Sequence, residues 1–148
     1  MQIQKGRCRP CEAAKLAAAQ RATGQLAPDA DVIKSPDFGL LGPLKRSPEY
    51  AEMRKRVAEP MPIDAWEMDM VHYFIFQLKP LEDAPAGAEP PYVLFEMRYE
   101  DYGPLSVLLI TPKPNGEEAE VVNLRAPGDV QVMALPRAAG SEVTATAQ

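Results

Sequence analysis

Residues 68–111 read MDMVHYFIFQLKPLEDAPAGAEPPYVLFEMRYEDYGPLSVLLIT and hold most of the dense hydrophobic sequence of the chain. The runs at 68–78, 92–99 and 105–111 are each about 7 to 11 residues long, are rich in β-branched and aromatic side chains, and are bounded by Pro and Gly. This pattern is typical of β-strands. The stretch therefore predicts a β-domain.

The faces of these strands predict how the sheet is covered, because alternate residues of a strand point to opposite sides. In the first run both sets are apolar, with Met70, Phe74, Phe76 and Leu78 on one side and Val71, Tyr73 and Ile75 on the other. We therefore expect a covering layer on each face of this strand. In the second run Glu96 and Arg98 occupy one side, which predicts a water-facing surface there.

Two shorter strands are predicted after the hydrophobic stretch, at residues 119–124 and 130–135. Asn115-Gly116 precedes them and is the pair that a tight hairpin turn favours. Five strands joined by short turns predict an antiparallel meander or Greek key, closed as a barrel or a sandwich. The fold class is therefore mainly β with minor α.

The helices are predicted in the first third of the chain. One begins at Cys8-Arg9-Pro10-Cys11 and continues through an alanine-rich segment to about Gln20 or Arg21, with Gly24 as the expected terminator. A second, short helix begins at Ser47-Pro48-Glu49, where Ser suits the N-cap and Pro the first turn. Between them, residues 25–46 have no sustained periodicity and predict an extended Pro-rich arm with a few apolar anchors.

These elements divide the chain into three segments. Residues 1–46 are predicted to form the N-terminal helix and arm, residues 47–136 the β-domain with its leading helix, and residues 137–148 a flexible tail. Sixteen prolines among 148 residues disfavour long helices, because proline ends helices and removes a backbone donor.

Charge is distributed unevenly and favours protein docking. Residues 1–58 carry a net charge of +5 (11 Lys/Arg against 6 Asp/Glu), and residues 59–148 carry −10 (5 against 15). Such a basic segment can lie against an acidic body, its own or a neighbour's. Residues 1–37 contain no aromatic side chain for base stacking, so we expect protein partners rather than nucleic acid.

The two cysteines and the absence of an obvious targeting segment predict a cytoplasmic protein, or one assembled into a virion in the host cytoplasm. Since no stretch approaches the length of a membrane-spanning helix, no membrane association is expected.

Cys8-Arg9-Pro10-Cys11 resembles the Cys-x-Pro-Cys redox motif of thioredoxin-like proteins. The resemblance implies thiol-disulfide exchange, with the following helix favouring the thiolate. A second interpretation is half of a zinc site, which a second chain would complete with its own two cysteines. The third interpretation, which the sequence favours, is two reduced thiols in or near an interface.

No catalytic residue is predicted. His72 stands alone among large apolar residues and is expected to be a hydrogen-bonded core residue. The chain has no Gly-x-Ser-x-Gly elbow and no phosphate-binding glycine loop. We therefore expect no enzymatic activity and no cofactor.

These features together predict a non-enzymatic structural subunit of a large assembly that docks to its neighbours through the N-terminal arm. Capsid decoration and head-tail joining proteins of bacteriophage virions are examples of this kind of subunit. The expected interface residues are the apolar anchors of the arm and two tyrosines of the β-domain: Phe38, Leu40, Leu41, Leu44, Tyr99 and Tyr102. The sequence also predicts an oligomer. The alternatives are a small cytosolic β-barrel binding module, whose arm folds back on its own body, and a Cys-pair zinc or redox protein.

Overall fold

A computed structural model of the protein describes residues 7–24, 33–100, 103–126 and 128–136. Six antiparallel strands form one sheet in which each strand pairs with the next along the chain. The strands are β1 (Asp64–Met68), β2 (Val71–Gln77), β3 (Tyr92–Met97), β4 (Ser106–Pro112), β5 (Glu118–Asn123) and β6 (Val130–Ala134). The helices are α1 (Arg9–Thr23), a 3-10 turn (Phe38–Leu40), α2 (Leu41–Lys45) and α3 (Pro48–Met53).

The antiparallel meander is confirmed, whereas the closed barrel or sandwich is wrong. The sheet is open, with β1 at one edge and β6 at the other. Because helices cover its two faces, the sheet buries apolar side chains without closing on itself. The sixth strand arises because β1 and β2 are two arms of a hairpin, whose turn at Asp69 and Met70 lies within the first predicted run.

Helix α1 covers one face of the sheet. Its predicted start and its terminator Gly24 are confirmed, but the helix runs to Thr23, beyond the predicted end at Gln20 or Arg21. The Cys8 side chain caps its start, and Gly24 ends it in the left-handed conformation with φ 76°. Its contact surface consists of buried alanines, which are small enough to let the helix backbone approach the strands. Ala13, Ala14, Ala18 and Ala19 share this core with Trp66, Met68, Tyr73, Ile75, Leu94 and Ile110.

The opposite face is covered by the 3-10 turn, α2 and α3. Leu40, Leu44, Tyr50, Met53 and Val57 pack there with Phe74, Phe76, Val93, Phe95, Met97 and Val107. The prediction that both faces of β2 are covered is therefore confirmed. The water-facing side expected for β3 is wrong at Tyr92 and Leu94, because α1 buries both residues.

The opposed charges of the two parts of the chain meet within the molecule. Three basic side chains of α1 pair with acidic side chains of the sheet and its loops: Arg9 with Glu89 at 2.9 Å, Lys15 with Asp64 at 3.1 Å, and Arg21 with Glu96 at 3.6 Å. The basic N-terminal helix thus neutralises part of the acidic body on which it packs.

Candidate docking surface

The predicted interface residues occupy different environments. Leu40 and Leu44 lie inside the chain's own core, 7% and 0% exposed. Leu41 is half-buried, and Phe38 and Tyr99 are exposed. Tyr102 lies outside the described residues. The interface prediction is not tested by these positions, but they show which side chains a partner could touch.

Four large apolar side chains form an exposed group that we call the docking surface: Phe38, Met61, Met70 and Tyr99. Their exposed fractions are 52%, 56%, 68% and 57%. Two adjoining depressions connect them, and both are lined by Ser35 and Pro36. One, of about 370 Å³, includes Phe38 and Met61, and the other, of about 280 Å³, includes Met70 and Tyr99.

A hydrogen-bonded group at the centre of the docking surface joins its loop to the sheet. The Tyr99 hydroxyl donates to Asp37 Oδ2 at 2.9 Å, and the Gly39 N–H donates to Asp37 Oδ1 at 2.8 Å. The Asp37 N–H in turn donates to His72 Nδ1 at 3.1 Å, and the Tyr99 ring stands edge-on to His72 with centroids 4.9 Å apart. His72 is 4% exposed and is a hydrogen-bonded core residue, as predicted.

The same hydrogen bonds shift two pKa values in opposite directions. The Gly39 N–H, followed by the Tyr99 hydroxyl, stabilises the Asp37 carboxylate and lowers its pKa. The hydrogen bond to Asp37 raises the pKa of Tyr99, because the neutral phenol is the donor. The bond is therefore strongest when Asp37 is ionised and Tyr99 is neutral.

The β1–β2 turn presents Met70 to solvent in a strained conformation. Asp69 and Met70 have φ values of 53° and 70°, in the region that favours glycine. The Met70 N–H donates to Glu67 Oε2 at 2.9 Å, which fixes the turn. Strained residues of this kind occur preferentially at functional positions.

The larger depression has a polar wall that comes from α1 and β1. Lys15 is almost fully buried, pairs with Asp64, and places Nζ 5.2 Å from the centroid of the Trp66 ring. Asp64 Oδ2 also accepts the Arg7 N–H at 3.1 Å. Arg7 and Lys34 contribute further positive charge to the lining. The apolar docking surface is thus bordered by basic residues.

The two cysteines are joined to each other near this wall. A disulfide links Cys8 and Cys11, so the expected pair of reduced thiols is not what the structure shows. The bond occupies both sulfurs that the shared zinc site would need as thiolates. Among the described residues, no three His, Cys, Asp or Glu side chains converge as ligands for one metal ion.

Met61 and Met70 are members of the docking surface that the sequence analysis missed. The sequence pattern places Met70 on a covered side of a strand, and Met61 lies between prolines without a periodic signal.

Of the helices in the described ranges, none combines the length and hydrophobicity needed to cross a bilayer. Comparison of the chain with protein-family models, curated proteins and solved structures finds no match.

Proposed function

We propose that the chain is a non-enzymatic structural subunit that docks to a neighbouring protein through Phe38, Met61, Met70 and Tyr99. The observation that carries the proposal is the exposure of these four side chains around two adjoining depressions. Clustered apolar side chains of this size on a protein surface mark interaction sites. Tyrosine and methionine are also enriched in the cores of protein interfaces.

The contacts that hold the docking surface in place support the same proposal of docking to a neighbouring protein. The hydrogen bonds of Asp37 join the loop to Tyr99 and His72, and the edge-on contact of Phe38 with Phe74, with centroids 6.2 Å apart, anchors the loop to the sheet. A surface that is ordered before binding loses less conformational entropy when a partner docks. The 3-10 turn and α2 pack on the chain's own sheet, which favours docking through this surface rather than through a free arm.

The setting we propose is a large assembly, such as a bacteriophage virion in which the chain is a capsid decoration or head-tail joining protein. This setting is proposed from general architecture. Among the described residues no strand pairs with the outer edge of β6. This edge offers a second contact for an oligomer, because Val130 and Val132 are each more than half exposed there.

The proposal is tested with a Phe38→Ser/Met70→Ser double variant and a matched control, Leu81→Ser. Leu81 is also a large exposed apolar residue, but it does not line either depression. Tagged wild-type protein and both variants are produced in the source cells, and co-purified proteins are quantified by mass spectrometry. We expect one protein to be retained by wild type and Leu81→Ser and depleted at least about tenfold by the double variant.

Purified binding measurements complete this test. The retained protein is made separately, and its affinity for each form is measured by calorimetry. Equal affinity for the double variant and for wild type would contradict the proposal. Circular dichroism establishes that each variant is folded, so that a loss of binding reports on the surface itself.

A further inference from the structure

We propose that Cys8 and Cys11 form a reversible redox pair that exchanges its disulfide with a dithiol partner. The structure joins the two sulfurs across a sequence separation of three residues. In the chain-entropy account, a disulfide stabilises a fold more as the loop it closes grows longer. This loop is among the shortest that a disulfide can close, so the bond stabilises the fold less than a disulfide between distant parts of the chain would. Its chemistry is the better explanation of its presence.

The start of α1 is held by other contacts, so the pair can open without releasing the helix. The Arg9 guanidinium pairs with Glu89 at 2.9 Å and donates from Nε to the Pro136 carbonyl oxygen at 2.7 Å. It also donates to the carbonyl oxygen of Gly116. The Arg7 N–H is held by Asp64. A redox pair needs a folded state on both sides of the reaction, and these contacts supply one.

The two sulfurs are placed unequally, and this assigns their roles. Cys8 is half-buried, whereas Cys11 is fully buried. Cys8 is also the N-cap of a 15-residue helix, and its Sγ accepts the Cys11 N–H at 3.0 Å. A helix N-terminus and a backbone donor both favour a negative sulfur. Cys8 is therefore the sulfur that a partner attacks and the better thiolate after reduction.

The exchange proceeds through a mixed disulfide between the partner and Cys8. A thiolate of the partner attacks Cys8 Sγ, the bond between the two cysteines breaks, and Cys11 leaves as a thiolate that takes up a proton. The second thiol of the partner loses its proton and attacks the partner's own sulfur in the mixed disulfide, which releases Cys8. Two electrons have passed to this chain, and the partner dithiol has become a disulfide. The protons lost by the partner end on the cysteines or in water.

The equilibrium is tested on the full chain in buffers with defined ratios of reduced to oxidised glutathione. Thiols are trapped with a maleimide and counted by mass spectrometry, and circular dichroism follows the fold in each buffer. We expect one two-electron transition between folded states that is reversed by oxidised glutathione. Either of two results would overturn the proposal: a pair that is reduced only after unfolding, or cysteines that stay reduced in oxidised glutathione.

The assignment of roles is tested with Cys11→Ser and Cys8→Ser, each carrying one free thiol. We expect iodoacetamide to modify Cys8 in the first variant at least about tenfold faster than Cys11 in the second. Equal rates in folded variants would overturn the assignment. The redox titration uses the wild-type chain. It therefore decides whether the cysteine pair is reversible even where a variant fails to fold.

Exchange with another protein is tested with insulin as the probe. We expect wild type, but not Cys8→Ser, to accelerate the reduction of insulin by dithiothreitol, and no acceleration would overturn exchange with a protein disulfide. Native mass spectrometry of the reduced chain with zinc separates the metal alternative, since one zinc ion bound between two chains would reassign the pair to a zinc site. The docking residues take no part in these reactions, so the two proposals stand or fall separately.

Discussion

Asp37 connects the docking surface to the sheet by accepting the Tyr99 hydroxyl and donating its own N–H to His72. Because the hydrogen bond to Asp37 is the largest cause of the raised Tyr99 pKa, we expect Asp37→Ala to move that pKa down toward its ordinary value. Glu67→Gln is the control, since Glu67 is the smallest cause and should produce a smaller decrease. NMR of the ring carbon that bears the Tyr99 hydroxyl measures the Tyr99 pKa in each variant. An unchanged Tyr99 pKa in Asp37→Ala would contradict the hydrogen bond.

The direction of these pKa shifts also sets how pH affects the docking loop. The pKa of Asp37 is lower in the folded protein, so its stabilising contribution is present above the unfolded pKa and is lost as pH falls through the folded pKa. The pKa of Tyr99 is raised, so its contribution is complete below the unfolded pKa and is lost as pH rises through the folded pKa. Between the pKa of Asp37 and the pKa of Tyr99, the hydrogen bond that joins these two residues should therefore stabilise the docking loop.

Met70 combines backbone strain with exposure, which predicts that docking and stability oppose each other at this residue. Replacing it with glycine removes the cost of a bulky residue at φ 70°. We expect Met70→Gly to stabilise the fold by about 1 kcal/mol, after the larger chain entropy of glycine is deducted. The melting temperature should rise by about 3 °C. Affinity for the docked partner should fall, because an exposed apolar side chain is lost.

Met61→Gly is the matched control for that variant. Met61 is also an exposed methionine of the docking surface, but its φ is not positive. The Met61→Gly variant should therefore bind the docked partner more weakly without any gain in stability. Thermal unfolding followed by circular dichroism compares the two. A melting temperature that falls equally in both variants would show that Met70 carries no strain.

At the scale of strands and helices, sequence predicts elements well where local chemistry decides them. Asn115-Gly116 forms the predicted turn between β4 and β5, with Gly116 at φ 73°. Ser47 caps α3 as expected. Asp69-Met70 makes a tighter turn between β1 and β2, with only these two residues between the strands. Methionine gives no signal of a positive φ, and no glycine follows Asp69. That turn was therefore missed, and with it the exposure of Met70.

The outer edge of β6 is the element that favours contact between copies of the chain. The Leu135 N–H donates to the Glu117 carbonyl oxygen at 2.8 Å, so the alternation of an antiparallel ladder turns the backbone groups of Val130, Val132 and Ala134 away from β5. No strand of the described chain pairs with that side. β6 carries no charged residue or proline to block pairing.

We therefore expect weak, concentration-dependent self-association that Val132→Lys reduces at least about tenfold. In an antiparallel pair of β6 strands centred on Val132, two lysines would face each other. Gln131→Lys is the control, because Gln131 is also exposed but points to the opposite face. Sedimentation equilibrium measures the association constant of each form. Equal association of the two lysine variants would exclude β6 as the contact.

At the scale of the whole molecule, the sequence showed opposed charges in the two parts of the chain but not where they meet. Arg9, Lys15 and Arg21 pair with acidic residues of the chain's own body. The apolar residues gave equally partial information. They predicted that both faces of β2 would be covered. The alanines of α1 did not indicate that this helix would be the layer that covers one of those faces. Small residues signal helix propensity in a sequence and signal close packing only in a structure.

This architecture makes α1 part of the folding unit, which we test by deleting residues 1–24. The deletion exposes Trp66, Tyr73 and Ile75 on one face of the sheet and leaves Asp64 without Lys15. We expect the truncated chain to lose cooperative thermal unfolding and to bind a hydrophobic dye, because an open sheet needs both layers. Arg21→Ala is the control, since its ion pair is exposed and should cost about 0 to 1 kcal/mol. Cooperative unfolding of the truncated chain would mean that α1 is free to contact a neighbouring subunit, as docking through the N-terminal helix and arm requires.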